Sequence, residues 1–308
     1  MSGWSSFRLI ALAVLGAAGL GAQLEGVIDL HVHSAPDSGP RAFDALEVAR
    51  IARRQGLRAL LYKNHYTQTA SLAYLVSQAE PGVEAYGGVV LNRAVGGLNP
   101  AAVERMALTT GGRGRVVWMP TFDSEHYHRV FKPNPSFVAV AREGELTPEA
   151  LAVLDEIAEH ELALATGHSS PEESLMLIRA AKERGIERMI VTHPLPPPVA
   201  MTIEQQMEAA EMGAYLEYVY QATLGANPDW PGGEVTMEET AAAIRRVGPE
   251  QVILTSDLGQ VGNPVHTDGL ALFRAALLEA GFSEEELDWM MKRNPARFLG
   301  IEWGEGNR

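Results

Sequence analysis

The sequence predicts a (β/α)8 TIM barrel, and three observations predict it. From Val27 onward, short β-branched or aliphatic runs alternate with Ala/Leu/Glu-rich stretches. There are about eight such pairs in roughly 280 residues, the size of that architecture. Polar residues also gather where many of the runs end, as a barrel mouth requires. An open, doubly wound sheet is the alternative, but no G-x-G-x-x-G follows the first run, and the polar residues are not confined to one switch point. With 308 residues, 46% hydrophobic and 21% charged, the chain is long enough to bury one large core.

In chain order, Leu9 to Leu20 form an apolar run after Arg8, followed by small residues and Gln23. This is the outline of an export signal, too short for a stable membrane span. Residues 1–24 are therefore expected to be a signal peptide or apolar extension, and 25–308 a single barrel domain. The expected location is periplasmic or secreted, with an uncleaved helix on a cytoplasmic protein as the alternative. Strands are expected at 27–31, 57–62, 83–91, 115–120, 162–166, 188–192, 214–218 and 251–256. Helices are expected at 44–55, 69–78, 100–109, 148–160, 171–184, 202–212, 236–247 and 283–297. Several begin with Thr-Pro or Ser-Pro, a cap followed by proline at the first helical position. Glu284 to Glu286 suit the first turn of the last helix, and Met290-Met291 suit the core. The irregular stretch from Thr121 to Thr147, with Asp123, His126, His128 and Lys132, reads as a lid over the barrel mouth.

Composition excludes some chemistry. A net charge of -14 disfavours nucleic acid and anionic lipid as partners. Zero cysteines rule out disulfides, thiolate nucleophiles and Cys-containing zinc sites, so a metal here must be held by His, Asp and Glu. In Ile28-Asp29-Leu30-His31-Val32-His33 the strand period of two puts Asp29, His31 and His33 on one face, with the apolar residues expected to meet the helices. His168 follows the fifth run, His193 the sixth, and Asp257 comes directly after the eighth, Val252 to Ser256. Potential ligands from unrelated strands then converge on one rim. Lys63 and His65 end the second run. Asn92, Arg93, Asp123 and Glu217 stand where pocket residues could, but alternation around Glu217 does not fix its face.

On Asp29-Leu30-His31-Val32-His33, His168, His193, Ser256-Asp257 and the closing Asn294-Pro295-Ala296-Arg297-Phe298-Leu299-Gly300, the chain after Gly26 resembles the amidohydrolase superfamily, in particular its branch of uncharacterised bacterial metal-dependent hydrolases. The resemblance implies that His31, His33 and His168 bind metal. It also implies that His193 binds a second metal or polarises substrate, and that Asp257 binds metal and shuttles the proton. Binuclear members often bridge two ions with a carboxylated Lys or a Glu from the fourth strand, and Arg115 to Pro120 offers neither. One ion is therefore expected, most simply zinc, with Mn, Fe, Co or Ni as alternatives. Lys63 and His65 are expected to face substrate rather than to bridge.

The chemistry this implies is attack by a metal-activated water on an ester, amide, lactone or phosphoester of a small molecule. A metal-dependent decarboxylase on the same barrel and a non-catalytic metal- or ligand-binding barrel are the alternatives. So is a PHP-type phosphoesterase, although Asp257-Leu258-Gly259 lacks the closing Asp-x-His of that class. Tyr215 to Tyr220 and Trp230 suit a pocket or a homo-oligomer interface alike.

Overall fold

The computed structural model describes residues 23–131, 136–225 and 234–302. The apolar run read as an export signal, together with Lys132 and Trp230, lies outside them. Eight parallel strands form one sheet in sequence order, the predicted (β/α)8 arrangement. They are Ile28–Val32, Ala59–Tyr62, Glu84–Val90, Gly114–Trp118, Ala163–Ala165, Met189–Val191, Tyr215–Val219 and Val252–Thr255. The last strand returns to the first. Asp257 N–H donates to His31 C=O at 3.0 Å, and His33 N–H donates to Leu258 C=O at 3.0 Å.

Two apolar layers result from the strand period. Outward residues such as Leu60, Val117, Leu164, Leu216 and Leu254 pack with helix residues such as Val48, Val103, Leu154 and Ile178. Inward residues, among them Ala59, Leu61, Val116, Trp118, Ala165 and Ile253, fill the barrel above Phe298 and Leu299. The first strand departs from its expected faces. Ile28 and Leu30 join the interior, whereas Val32 joins the helix side. A register shift between Asp29 and Val32 breaks the alternation, and it lets both histidines reach the mouth.

Helices follow the strands, several with the capping the sequence signals. Thr147 accepts from Ala150 N–H ahead of Pro148–Glu159. Ser170 and Glu173 form a reciprocal capping box at Pro171–Glu183. Two further elements were not expected: helix His266–Glu279, and a hairpin pairing Ala141–Arg142 with Glu145–Leu146. Asn294 explains part of the closing motif, since its Nδ2 donates to Pro249 C=O and Val252 C=O, both at 2.8 Å, below the eighth strand. No helix among the described residues is long and apolar enough to cross a membrane.

Candidate metal centre

Because Ala59 and Leu61 point inward, the period of two carries Lys63 and then His65 inward beyond the strand's end. The other groups arrive through special backbone. Gly167, at φ +63, lies so close to the fourth strand that a Cβ would sit 2.2 Å from Met119 O. This contact lets His168 N–H donate to Pro120 C=O at 2.9 Å and turns the histidine toward the axis. Gly259, at φ +126, similarly lets the eighth strand's exit approach His33 O, where a Cβ would be 2.0 Å away. His193 and Asp257 themselves adopt left-handed backbone, at φ 24 and 52. Non-glycine residues there store about 1–3 kcal/mol of strain and cluster at functional sites.

His31, His33, Lys63, His65, His168, His193 and Asp257 line one cavity of about 40 Å³, joined by Arg41, Phe122 and Gln260. The tightest group within it is His31, His33 and Asp257, whose ligand atoms all lie within 4.8 Å of one another. His168 and His193 stand beside it, their rings 5.0 Å apart and the His193 ring 6.1 Å from that of His31. His65 stacks on His33 at 5.0 Å, and its Nδ1 meets Thr121 Oγ1 at 2.9 Å. Asn92 underpins that contact, donating to Thr121 Oγ1 at 2.8 Å and to His65 C=O at 2.9 Å. Asp123 instead accepts from Arg93 N–H, and Arg93 lines a separate cavity. The proximal part of the expected lid does reach the site, since Phe122 lines the cavity and Ser124 Oγ donates to His168 C=O at 2.8 Å.

Burial keeps these imidazoles neutral. It lowers the pKa of His31 to about 3 and of His193 to about 4, and depresses those of His33, His65 and His168. Burial likewise lowers the Lys63 pKa to about 8 and pushes the Glu217 carboxyl up to about 7. Partners then fix the tautomers. His33 Nδ1 lies 2.8 Å from Lys63 C=O, which can only accept, so Nδ1 carries the proton. Its Nε2 is left as a bare lone pair 3.0 Å from Asp257 Oδ1, an acceptor facing an acceptor. His31 repeats the pattern: Nδ1 meets Glu217 Oε1 at 3.1 Å, and Nε2 lies 3.2 Å from the same Asp257 oxygen. Lys63 Nζ, 2.9 Å from His31 Nε2, supplies one proton to this acceptor cluster.

Three electron-rich atoms held this close suit a cation, and neutral imidazoles with one carboxylate are donors for a divalent metal. His168 Nδ1, buried and without a hydrogen-bond partner among the described residues, adds an unsatisfied donor atom. The residues present therefore fit a metal ion. Glu217, whose face the sequence leaves open, is placed inward by its outward neighbours Leu216 and Tyr218. It supplies the carboxylate behind His31, an arrangement that orients metal-ligating histidines.

A family model described as a family of unknown function (DUF6282) matches residues 26–217. No curated protein matches. Among solved structures, a probable dipeptidase from Pseudomonas aeruginosa superposes with a TM-score of 0.66 at 12% identity, covering 92% of this chain and 96% of its own. An amidohydrolase from Pseudomonas aeruginosa gives 0.61 at 12% identity, covering 94% and 99%. A probable 2-pyrone-4,6-dicarboxylic acid hydrolase from Acinetobacter baumannii, with citric acid bound, gives 0.61 at 14% identity, covering 90% and 100%. These likenesses establish the shared barrel fold.

Proposed function

We propose that this chain, which belongs to the DUF6282 family, is a metal-dependent hydrolase acting on an ester, amide, lactone or phosphoester bond of a small molecule. The observation that carries the reading is the convergence of two imidazole lone pairs on one carboxylate oxygen at the barrel's carboxyl end. The names of the structural relatives, an amidohydrolase, a probable dipeptidase and a probable pyrone hydrolase, support hydrolysis as the reaction class. In this reading His31, His33 and Asp257 hold one divalent ion, zinc first among the candidates, with His168 as a further ligand. Bound there, such an ion would bring a water's pKa near neutrality and polarise a substrate oxygen.

The remaining steps belong to side chains. Asp257 takes a proton from the attacking water and returns it to the leaving group. His193, neutral and buried, donates to the oxygen on which negative charge develops. Glu217 keeps the proton of His31 on Nδ1, and Lys63 C=O does the same for His33, so both Nε2 atoms keep their lone pairs, that of His31 becoming free for an ion when Lys63 Nζ gives way. Lys63 Nζ and His65 face the substrate.

Metal content of the chain from Gln23 onward, measured by elemental mass spectrometry, tests this. About one equivalent is expected, and it should be lost when His31→Ala and His33→Ala are combined. Near two equivalents would restore Lys63 as a bridging ligand. Asp257→Asn keeps a residue that tolerates left-handed backbone and removes the proton acceptor. Metal-dependent turnover on an ester and lactone panel should then fall by about 10²–10⁴-fold. Wild-type protein that takes up neither zinc nor manganese overturns the reading.

A further inference from the structure

Above the small metal cavity lies a second, larger one of about 410 Å³, the size of a small-molecule site. Arg41, His65, Phe122 and Gln260 wall both cavities and so form the neck between them. Arg41 is the one arginine or lysine side chain at this neck. Its side chain is only 11% exposed, and Asp37 holds it from one edge. Nε donates to Asp37 Oδ2 at 2.8 Å, and Nη2 lies 2.7 Å from the same oxygen.

A guanidinium has five N–H donors in a planar fork. Asp37 occupies the Nε side, and no described residue accepts from Nη1. The outer edge, Nη1 with the second hydrogen of Nη2, is thus pre-oriented by Asp37 and left for a ligand in the neck. We propose that Arg41 binds the carboxylate of a small organic acid substrate, placing the acid group next to the bond that is broken in the inner cavity. This deepens the hydrolase reading and rests on it for the position of the reacting bond.

The ligand's charge and body follow from the same walls. Asp37 already compensates part of the guanidinium charge, which suits a monoanionic carboxylate better than a phosphate dianion. Tyr66, Phe122, Leu224 and Val261 give the outer cavity an apolar lining for the rest of the molecule.

The test is calorimetric titration of phenylacetate, phenylacetamide and phenylphosphate into the full chain, with its metal removed by chelation and again after zinc loading. Phenylacetate is expected to bind roughly tenfold or more tighter than the amide in both forms, as a charge-assisted fork predicts. Arg41→Gln should erase that preference while leaving metal equivalents unchanged. Arg41→Lys, which keeps charge but loses the fork, should retain only part of it and serves if the Gln variant does not fold. Equal binding of acid and amide, tighter binding of phenylphosphate, a preference that survives Arg41→Gln, or no binding by any probe overturns the inference. Failure of the hydrolase reading looks different: no metal uptake and no turnover, with the Arg41-dependent preference intact in metal-free protein.

Discussion

Without the Glu217 carboxylate, His31 Nδ1–H would have no acceptor, and the ring would be free to turn its Nε2 away from Asp257. Glu217→Gln keeps the shape of the side chain but weakens that grip. Zinc affinity, measured by competition with a chelating dye, is expected to fall about 10–100-fold while the protein stays folded. Unchanged affinity would show that His31 is oriented by its packing alone. At this scale the sequence was legible where a histidine or carboxylate stands at or just beyond the end of an aliphatic run. His31, His33, His168, His193 and Asp257 all do so, and they share one cavity. Glu217 was less legible because it sits mid-strand, with aromatic residues on both faces, Tyr215 inward and Tyr218 outward. Arg41 lies in a loop, where no period exists to say which way a side chain turns.

Short elements at the barrel mouth depend on backbone that only glycine adopts cheaply. At Gly167, positive φ and a contact to Met119 O shorter than any Cβ tolerates act together. Gly167→Ala should therefore cost at least about 2 kcal/mol. This corresponds to a drop in Tm of roughly 4–8 °C, read in a thermal melt. An alanine variant melting with the wild type would mean that the fifth strand's exit can shift freely and that the Gly167 contact does not place His168. Helix positions were readable where caps announce them, as at Thr147 and Ser170. Helix His266–Glu279 has no side-chain cap at Val265, and Gly269 interrupts its first turns. That glycine has a tertiary reason invisible in sequence: a Cβ there would lie 2.3 Å from Leu258 Cδ1. The face reversal of the first strand was hidden for a similar reason, since a register shift is a property of the pair and not of one strand.

Across the whole molecule, gathering neutral histidines in one buried cluster makes stability depend on acidity. Unfolded histidines take up protons near 6.5, whereas in the folded chain His31 resists until about 3 and His193 until about 4. Their folded pKa values are depressed, so the unfolded state binds more protons in that window. Stability is then fully present above 6.5 and is lost as the pH falls toward 4, by about 1.4 kcal/mol per pH unit for each proton taken up. Glu217 opposes this, because its carboxyl, raised from 4.5 to about 7, favours the folded state as pH falls through that range. Burial raises the carboxyls of Asp29 and Glu173 in the same sense, but the depressed histidines, with His33, His65 and His168 beside His31 and His193, outnumber these carboxyls. The Tm of metal-free protein should consequently fall between pH 6.5 and 4.5, and a flat or rising Tm would contradict the buried-neutral assignment. The barrel architecture itself was legible from eight aliphatic runs, because burial on both faces leaves parallel strands little choice of composition.

The seam that closes the barrel runs through the backbones of the candidate ligands, with His31 C=O and His33 N–H on one side and Asp257 N–H and Leu258 C=O on the other. His33 and Asp257 are 224 positions apart in the chain. A ribosome would therefore release the two histidines long before it makes the carboxylate they face. During synthesis they are bare imidazoles on an unpaired strand edge, and no half-made chain holds the full set. An ion bound there would act as the clasp of a bracelet, fastened last, joining the two ends of the ring at the proposed reaction centre.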